Sequence, residues 1–329
     1  MAIIDNLQTS STEGGGYRYG NVGLAANTAG AGAAEYTRKQ ARKMRNTAQN
    51  LNPSNRRPGW LTYVFLTLVF LISVLPLYAA MMYGSSTSVE MATVRGNLPR
   101  WIPSGLLLEN FHKILTHSSF SFWGAFRNSI LVSVITAAST VFFSTLAAFA
   151  FSKLNFPGKN GLYTAIIATM AIPAQIGTIP MFLLMARFGW IDSLRALIIP
   201  ALVSAFGVFW MTQYMSEALP YELIEAARVD GASMFRTFLS VAWPAARPAA
   251  ATLALFSFVG SWNSFFWPRI MLRTQHTLPL IIPMLNGTFS RDLPAVLAGT
   301  FLVALPLLLV FIFLGKQIVA GVMAGAVKG

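Results

Sequence analysis

Residues able to do chemistry are sparse in this 329-residue chain, and the densest group of them is acidic. Glu217, Glu222, Glu225 and Asp230 fall within residues 217–248, together with Arg228, Arg236 and Arg247. No nucleophile–base arrangement is visible, so an enzyme with its own catalytic site is not expected. His112, His117 and His276 lack metal-ligand spacing, and no metal site is expected. The absence of cysteine excludes disulfides, thiolate ligands and a cysteine nucleophile. Gly158-Lys159 and Gly315-Lys316 lack both the preceding glycine spacing and the following Ser or Thr of a phosphate-binding loop. Nucleotide-driven work done through this chain must therefore enter from another polypeptide.

The elements that must position these residues are unusually apolar. Hydrophobic residues make up 55% of the chain and charged residues only 11%, where a soluble domain carries about a quarter. This is the composition of a membrane protein. A net charge of +13 raises the question of nucleic acid. No basic face with interleaved aromatics appears, however, and membrane proteins gather Lys and Arg on their cytoplasmic side. No nucleic-acid partner is expected.

Residues 1–60 are rich in Gly, Ala, Asn and Ser and too poor in large apolar residues to build a core, which predicts a largely disordered tail. Arg38, Lys39, Arg42, Lys43 and Arg45 give it a basic, membrane-proximal segment. No apolar core of a signal peptide lies in the first thirty residues. From residue 61 the pattern predicts an all-α membrane domain, 61–329, with six spans near 61–83, 125–151, 162–185, 196–215, 249–267 and 295–315. The first covers roughly 34 Å at 1.5 Å per residue, enough for a hydrocarbon core of about 30 Å. Residues 84–123 read as an external loop with a short helix near 107–115. Six spans put both termini on one side, and the charges place that side in the cytoplasm: 15 Lys and Arg fall inside against 9 outside. The tail carries that vote, since without it the count is 7 against 9. No expected span holds an Asp, Glu, Lys or Arg in its interior, which argues against an ion-coupled carrier. A channel, a scaffold or a transporter powered from outside the membrane remains.

The acidic stretch is the long inside loop of this scheme. Pro220 suits a first helical turn, Glu222 complements the dipole there, and Leu223, Ala226 and Ala227 share a small apolar face. Gly231 is a natural stop, and Ser233 can cap a second helix. That helix would set Met234, Phe235, Phe238, Val241 and Ala242 opposite Arg236, Thr237 and Ser240, with Pro244 and Pro248 ending it. Physics alone leaves two readings open: a hairpin lying at the lipid interface, or a docking surface.

The run Glu225-Ala226-Ala227-Arg228-Val229-Asp230-Gly231-Ala232-Ser233, followed by Phe238, Val241, Pro244 and Pro248, resembles the EAA loop of ABC-importer permeases. Asn128-Ser129, Trp262-Asn263, Thr277-Leu278-Pro279-Leu280 and the ending from Gly321 to Gly329 resemble the maltose-type carbohydrate permeases, specifically the partner with a short external domain. The resemblance covers residues 60–329 and implies a type I ABC-importer permease fold in a bacterial inner membrane. It implies that Glu225, Ala226, Ala227, Asp230, Gly231, Phe238 and Pro244 couple to a cytoplasmic ATPase. It also implies that the C-terminal Gly325, Ala326, Lys328 and Gly329 reach between two ATPase subunits. The implied partners are a second homologous permease, two ATPase subunits holding ATP and Mg, and an extracytoplasmic solute-binding protein. This chain would bind no cofactor itself. Two departures stand out: Ser264 replaces an acidic residue that often follows the Trp-Asn pair, and residues 1–50 are an extension the family lacks.

Trp262, Asn263 and Ser264 interrupt an apolar span, and Gln175 stands beside Pro173 in another. They could line a sugar path or simply bond neighbouring helices, as polar residues in membranes do. The expected function is import of a sugar or oligosaccharide. The alternatives are a polyol or glycerol phosphate as cargo, or a non-transporting scaffold or channel.

Overall fold

The computed structural model describes residues 59–93, 102–289 and 292–326. The expected tail over residues 1–58 lies outside them, as do Lys328 and Gly329. Contacts group the chain into two units that meet within the first helix, at Ser73 and Val74. The first unit contributes the opening of α1 (Trp60–Gly84), where Ser73 donates back to the Val69 carbonyl at 2.8 Å.

All regular structure among the described residues of the second unit is helical, with no strand. After the end of α1 come α2 (Ser88–Thr93), α3 (Leu106–Leu115) and the long α4 (Phe122–Lys153). Ser121 caps α4, accepting from the Gly124 N–H at 3.0 Å. Two shorter helices, α5 (Lys159–Thr169) and α6 (Thr178–Arg187), follow with a 3-10 turn between them. The next segment is α7 (Arg195–Ile198), a 3-10 turn and α8 (Ala205–Ala218). Then come α9 (Tyr221–Val229), α10 (Met234–Thr237), a π turn over Phe238–Ala242, and α11 (Trp243–Trp262). The chain ends with α12 (Phe266–Met271), α13 (Leu278–Thr288) and α14 (Leu293–Ala326).

Helices α4, α8 and α11 form the centre of this unit. One apolar cluster joins Val141, Phe149, Met211, Met215, Phe238 and Leu253 at the end nearer α9. A second joins Ile114, Phe122, Trp262, Leu285 and Val296 at the other end. Close approach is set by glycine at two places. A methyl group on Gly207 would come within 2.4 Å of the Ser144 hydroxyl, and one on Gly84 within 2.7 Å of the Ala298 backbone. Only glycine lets those helices meet so closely.

Among the described residues, four helical segments are long and apolar enough to cross a bilayer: Trp60–Gly84, Phe122–Lys153, Arg195–Ala218 and Leu293–Ile312. The expected third span, 162–185, is instead bent by 90° between Lys159–Thr169 and Ala174–Arg187, and counts as a fifth only if the pair is taken together. Pro173 accounts for the break, since it lacks an N–H and disfavours helix at Ile172. The expected fifth span, 249–267, starts earlier and ends earlier, as α11. Its first turns hold Pro244, Arg247 and Pro248, which dilute its apolar character. The expected external helix near 107–115 is α3. The sixth span continues without interruption through Ala326, so Gly325 and Ala326 sit in its last turn.

Candidate functional site

The acidic stretch folds around a tight turn. Leu219 is buried and extended, and Pro220 stands as N-cap of α9 with Glu222 in the first turn. At the other end Gly231 adopts φ +78°, and the Ala232 N–H reaches the Ala227 carbonyl at 2.9 Å. This left-handed closure suits glycine and terminates the helix. Ser233 then caps α10, its hydroxyl accepting from the Arg236 N–H at 3.3 Å.

One face of α9 is anchored and the other is presented. Ile224 is 1% exposed, held among Met215, Leu219 and Phe238. Tyr221, Leu223, Glu225, Ala226 and Asp230 are exposed, Ala227 is half-buried, and Val229 is 87% exposed. Among the described residues, the carboxylates of Glu225 and Asp230 have no hydrogen-bond or ion-pair partner. The arrangement is a small apolar and acidic surface on a rigidly seated helix. Phe235 and Leu239 extend that surface.

Beyond Thr237 the expected second helix departs from the pattern. It does not end at the prolines: α10 runs through the π turn straight into α11, with Pro244 in that helix's first turn and Pro248 inside it. Each proline removes one intrahelical bond, and a widened turn next to such a site absorbs the mismatch without breaking the rod. Two faces also exchange roles. Phe235, expected on the packed stripe, is 56% exposed, whereas Thr237, expected on the polar side, is fully buried with its hydroxyl unpartnered. Phe238 lies in the core, with ring centroids 5.8 Å from Phe149 and 6.0 Å from Trp243. It braces the surface from beneath. Pro244 is exposed.

Lys153 is a further participant that the pattern did not single out. It ends α4 and donates from Nζ to the Ser216 carbonyl at 3.5 Å, tying α4 to the last turn of α8. A lysine at a helix C-terminus complements the helix dipole, but nothing in its spacing reveals the carbonyl it meets.

A second site lies within the helices. A cavity of about 380 Å³ opens between α4, the break before α8, and the end of α11, lined by Ser129, Thr136, Thr140, Ser261, Ser264 and Thr277 among others. Of the residues expected on a path, only Ser264 reaches this cavity. Trp262 is 4% exposed and packed against Phe258 and Phe126, at 5.6 and 6.4 Å. Asn263 opens on a separate cleft with Pro279 and Thr300. Gln175 is exposed on the 3-10 turn before α6 and lines neither.

Above the cavity the loop over residues 272–277 is fastened from both sides. Asp192, at φ +59°, accepts from the backbone N–H groups of Arg273 (2.8 Å), Thr274 (2.9 Å) and Gln275 (3.1 Å) and from the Thr274 hydroxyl. Burial pushes the Asp192 carboxyl up, but the Thr274 hydroxyl and these N–H groups outweigh it and hold the carboxyl well below the usual carboxylate range. From α4, Asn128 donates to the His276 carbonyl at 3.0 Å, and the Ser129 hydroxyl accepts from the Leu278 N–H at 2.8 Å. Burial lowers the His276 pKa; Asp192 opposes that shift and Arg269 adds to it.

Residues 140–318 match the family of binding-protein-dependent transport system inner membrane components. The chain belongs to that family. Over 273 residues this permease is 30% identical to the arabinooligosaccharides transport system permease protein of Halalkalibacterium halodurans, covering 82% of this chain and 97% of that one. It is likewise 30% identical to the lactose transport system permease protein of Rhizobium radiobacter, over 83% of this chain and 97% of the relative. The fold is that of a chain in the crystal structure of a bacterial ABC transporter involved in the import of the acidic polysaccharide alginate. The TM-score is 0.66 at 24% identity, over 78% of this chain and 94% of the other. The all-α permease fold and the inner-membrane transport role expected from the sequence therefore hold.

Proposed function

We propose that this permease carries a sugar or oligosaccharide inward across a bacterial inner membrane, driven by ATP and Mg on a separate ATPase. The observation that carries the coupling part is the presented face of α9, with Glu225 and Asp230 unpaired among the described residues and Ile224 buried on the opposite face. An exposed apolar patch rimmed by charge suits a protein partner better than water. Glu225, Ala226, Ala227, Asp230 and Gly231 meet the ATPase, with Phe238 and Pro244 supporting them. Both termini are cytoplasmic, and the end of α14 (Gly325, Ala326 and the following Lys328 and Gly329) reaches the ATPase pair. A second permease and an extracytoplasmic binding protein complete the complex.

Closure of the ATPase dimer draws α9 and α10 inward, and the unbroken run from α10 into α11 passes that displacement to the helices that line the cavity. The sugar assignment draws on the relatives named for arabinooligosaccharides and lactose. The expected spans hold no interior charge to meet a phosphate, which favours a neutral cargo over glycerol phosphate. The test is Glu225→Ala combined with Gly231→Pro, measuring sugar uptake and ATPase co-purification. Proline cannot adopt the +78° φ of Gly231, so both uptake and co-purification should fall. Unchanged uptake refutes the coupling role.

A further inference from the structure

We propose that the cleft between α11, α13 and α14 binds a phospholipid of the surrounding membrane, one acyl chain lying in the cleft and the phosphate meeting Arg269. The cleft holds about 490 Å³ and is separate from the cavity beside α4. Phe265, Ile282, Pro283, Val303 and Leu307 make its lining largely apolar, which offers a hydroxylated solute little to bond. It lies at the depth of hydrocarbon. At 1.5 Å per residue, Thr300 and Leu307 stand about 10 and 21 Å along the spanning segment that begins at Leu293. A bilayer core is about 30 Å thick, so both fall inside it. The cleft is also open, since Asn263 and Pro283 are exposed and Phe265 is 43% exposed. Water does not favour an apolar recess, and at this depth the solvent that fills it is lipid chain.

Two polar groups ask for a whole phospholipid rather than a chain alone. Thr300 lines the cleft but donates to the Val296 carbonyl at 2.9 Å, so it is satisfied within its own helix. The Asn263 amide also lines the cleft, and among the described residues it has no hydrogen-bond partner. A free amide at membrane depth is costly until something pairs it. The ester oxygens of a phospholipid are acceptors placed directly beside the chain. Arg269 follows Phe265 by one turn, its N–H on the Phe265 carbonyl at 3.0 Å, so the two side chains share a face. Arg269 is exposed and, among the described residues, has no ion-pair partner. It counts among the outside cations of the expected topology, against the usual cytoplasmic bias. Phe265 and the 55% exposed Phe266 set apolar rings next to this guanidinium, the arrangement of a membrane–water boundary. A guanidinium binds phosphate through paired N–H groups. Chain, ester and phosphate thus each find a complement in the cleft lining, Asn263 and Arg269, and the lipid joins the end of α11 to α13 and α14.

The test titrates the assembled transporter, purified in detergent and stripped of lipid, with phosphatidylglycerol or with diacylglycerol of the same chains, and follows thermal unfolding. Phosphatidylglycerol should raise Tm, because a ligand of the folded state stabilises it, and diacylglycerol should raise it less. Arg269→Gln should need roughly tenfold more phosphatidylglycerol for the same shift, from loss of a charged hydrogen-bonded contact. Its response to diacylglycerol should be unchanged. Asn263→Leu should weaken the response to both lipids, and Ala304→Trp, which fills the cleft, should abolish both. Arg195→Gln, which removes an exposed arginine of α7, should alter neither. A benzophenone amino acid in place of Ala304 should crosslink to phospholipid when irradiated in membranes. Crosslinking to the second permease instead overturns the proposal. So does an undiminished phosphatidylglycerol response in Ala304→Trp, or an equal response of the unaltered chain to the two lipids. No cargo enters the assay, so its outcome is independent of the sugar reading.

Discussion

The loop over residues 272–277 and the α9 segment are both polar connections, yet they use their polar groups in opposite ways. In the first, Asp192 and Asn128 bond three consecutive N–H groups and a carbonyl of the loop, and Ser129 the N–H of the following Leu278, at 2.8 to 3.1 Å. In the second, Glu225 and Asp230 bond nothing among the described residues, while a single apolar side chain, Ile224, holds the helix in place. The contrast teaches what each is for. A connection bonded by its own chain is a brace; one anchored from beneath and left unpaired on top is the face proposed above for the ATPase.

The sharpest way to break the contrast is Ile224→Ala. It leaves the presented face untouched but removes its seat, at a cost of about 2–5 kcal/mol, and α9 should then exchange amide hydrogens rapidly while the 272–277 loop remains protected. Ser129→Ala strikes the brace instead. The Leu278 N–H loses its buried partner, which costs about 1–3 kcal/mol, and the loss of exchange protection should be confined to residues 276–280. Gly231→Ala is smaller, about 1–2 kcal/mol, because a Cβ at positive φ is strained although space around it is open; ATPase co-purification should weaken more than thermal stability.

The weakest effect is that of pH, and the two titrating groups of the brace act in different ranges. The folded-state pKa of His276 lies below its ordinary 6.5, so the unfolded loop binds the extra proton first. The brace therefore loses stability as pH falls below about 6.5 toward the folded value. Asp192 has the depressed folded pKa of a bonded carboxylate; its contribution is present above about pH 4 and is lost only in strong acid, giving no slope near neutrality. Thermal scans between pH 7.5 and 5.5 should show a decline that His276→Gln abolishes, with α9 exchange unaffected.

Much of the coupling segment was legible in the sequence because its signals are local. Pro220, Gly231 and Ser233 act on their immediate neighbours; Gly231 and Ser233 stand where their chemistry predicts, and Pro220 lies one position ahead of the first turn, as its N-cap. What escaped is tertiary. Nine helical residues offer competing apolar faces, and the one through Leu223 and Ala226 proved to be the outer face, while Ile224 found the core only because Met215, Leu219 and Phe238 converge on it. Thr237 reads as polar from its type but is buried by neighbours distant in sequence. Asp192 gave no signal at all, since its partners lie about eighty positions downstream. Trp262 and Gln175 were marked as interruptions of apolar runs, a pattern that does not distinguish a side chain facing a cavity from one facing a neighbour.

The π turn over Phe238–Ala242 has a geometric consequence. Each residue of an α-helix advances the rotation by about 100°, and a π turn holds one residue more than an α turn. The segment thus sets the phase between Phe235 on the presented surface and Ser261 beside the cavity, as the keyway on a shaft fixes one gear against another. Deleting a single residue there would keep the rod continuous and yet turn α11 by about a quarter of a revolution.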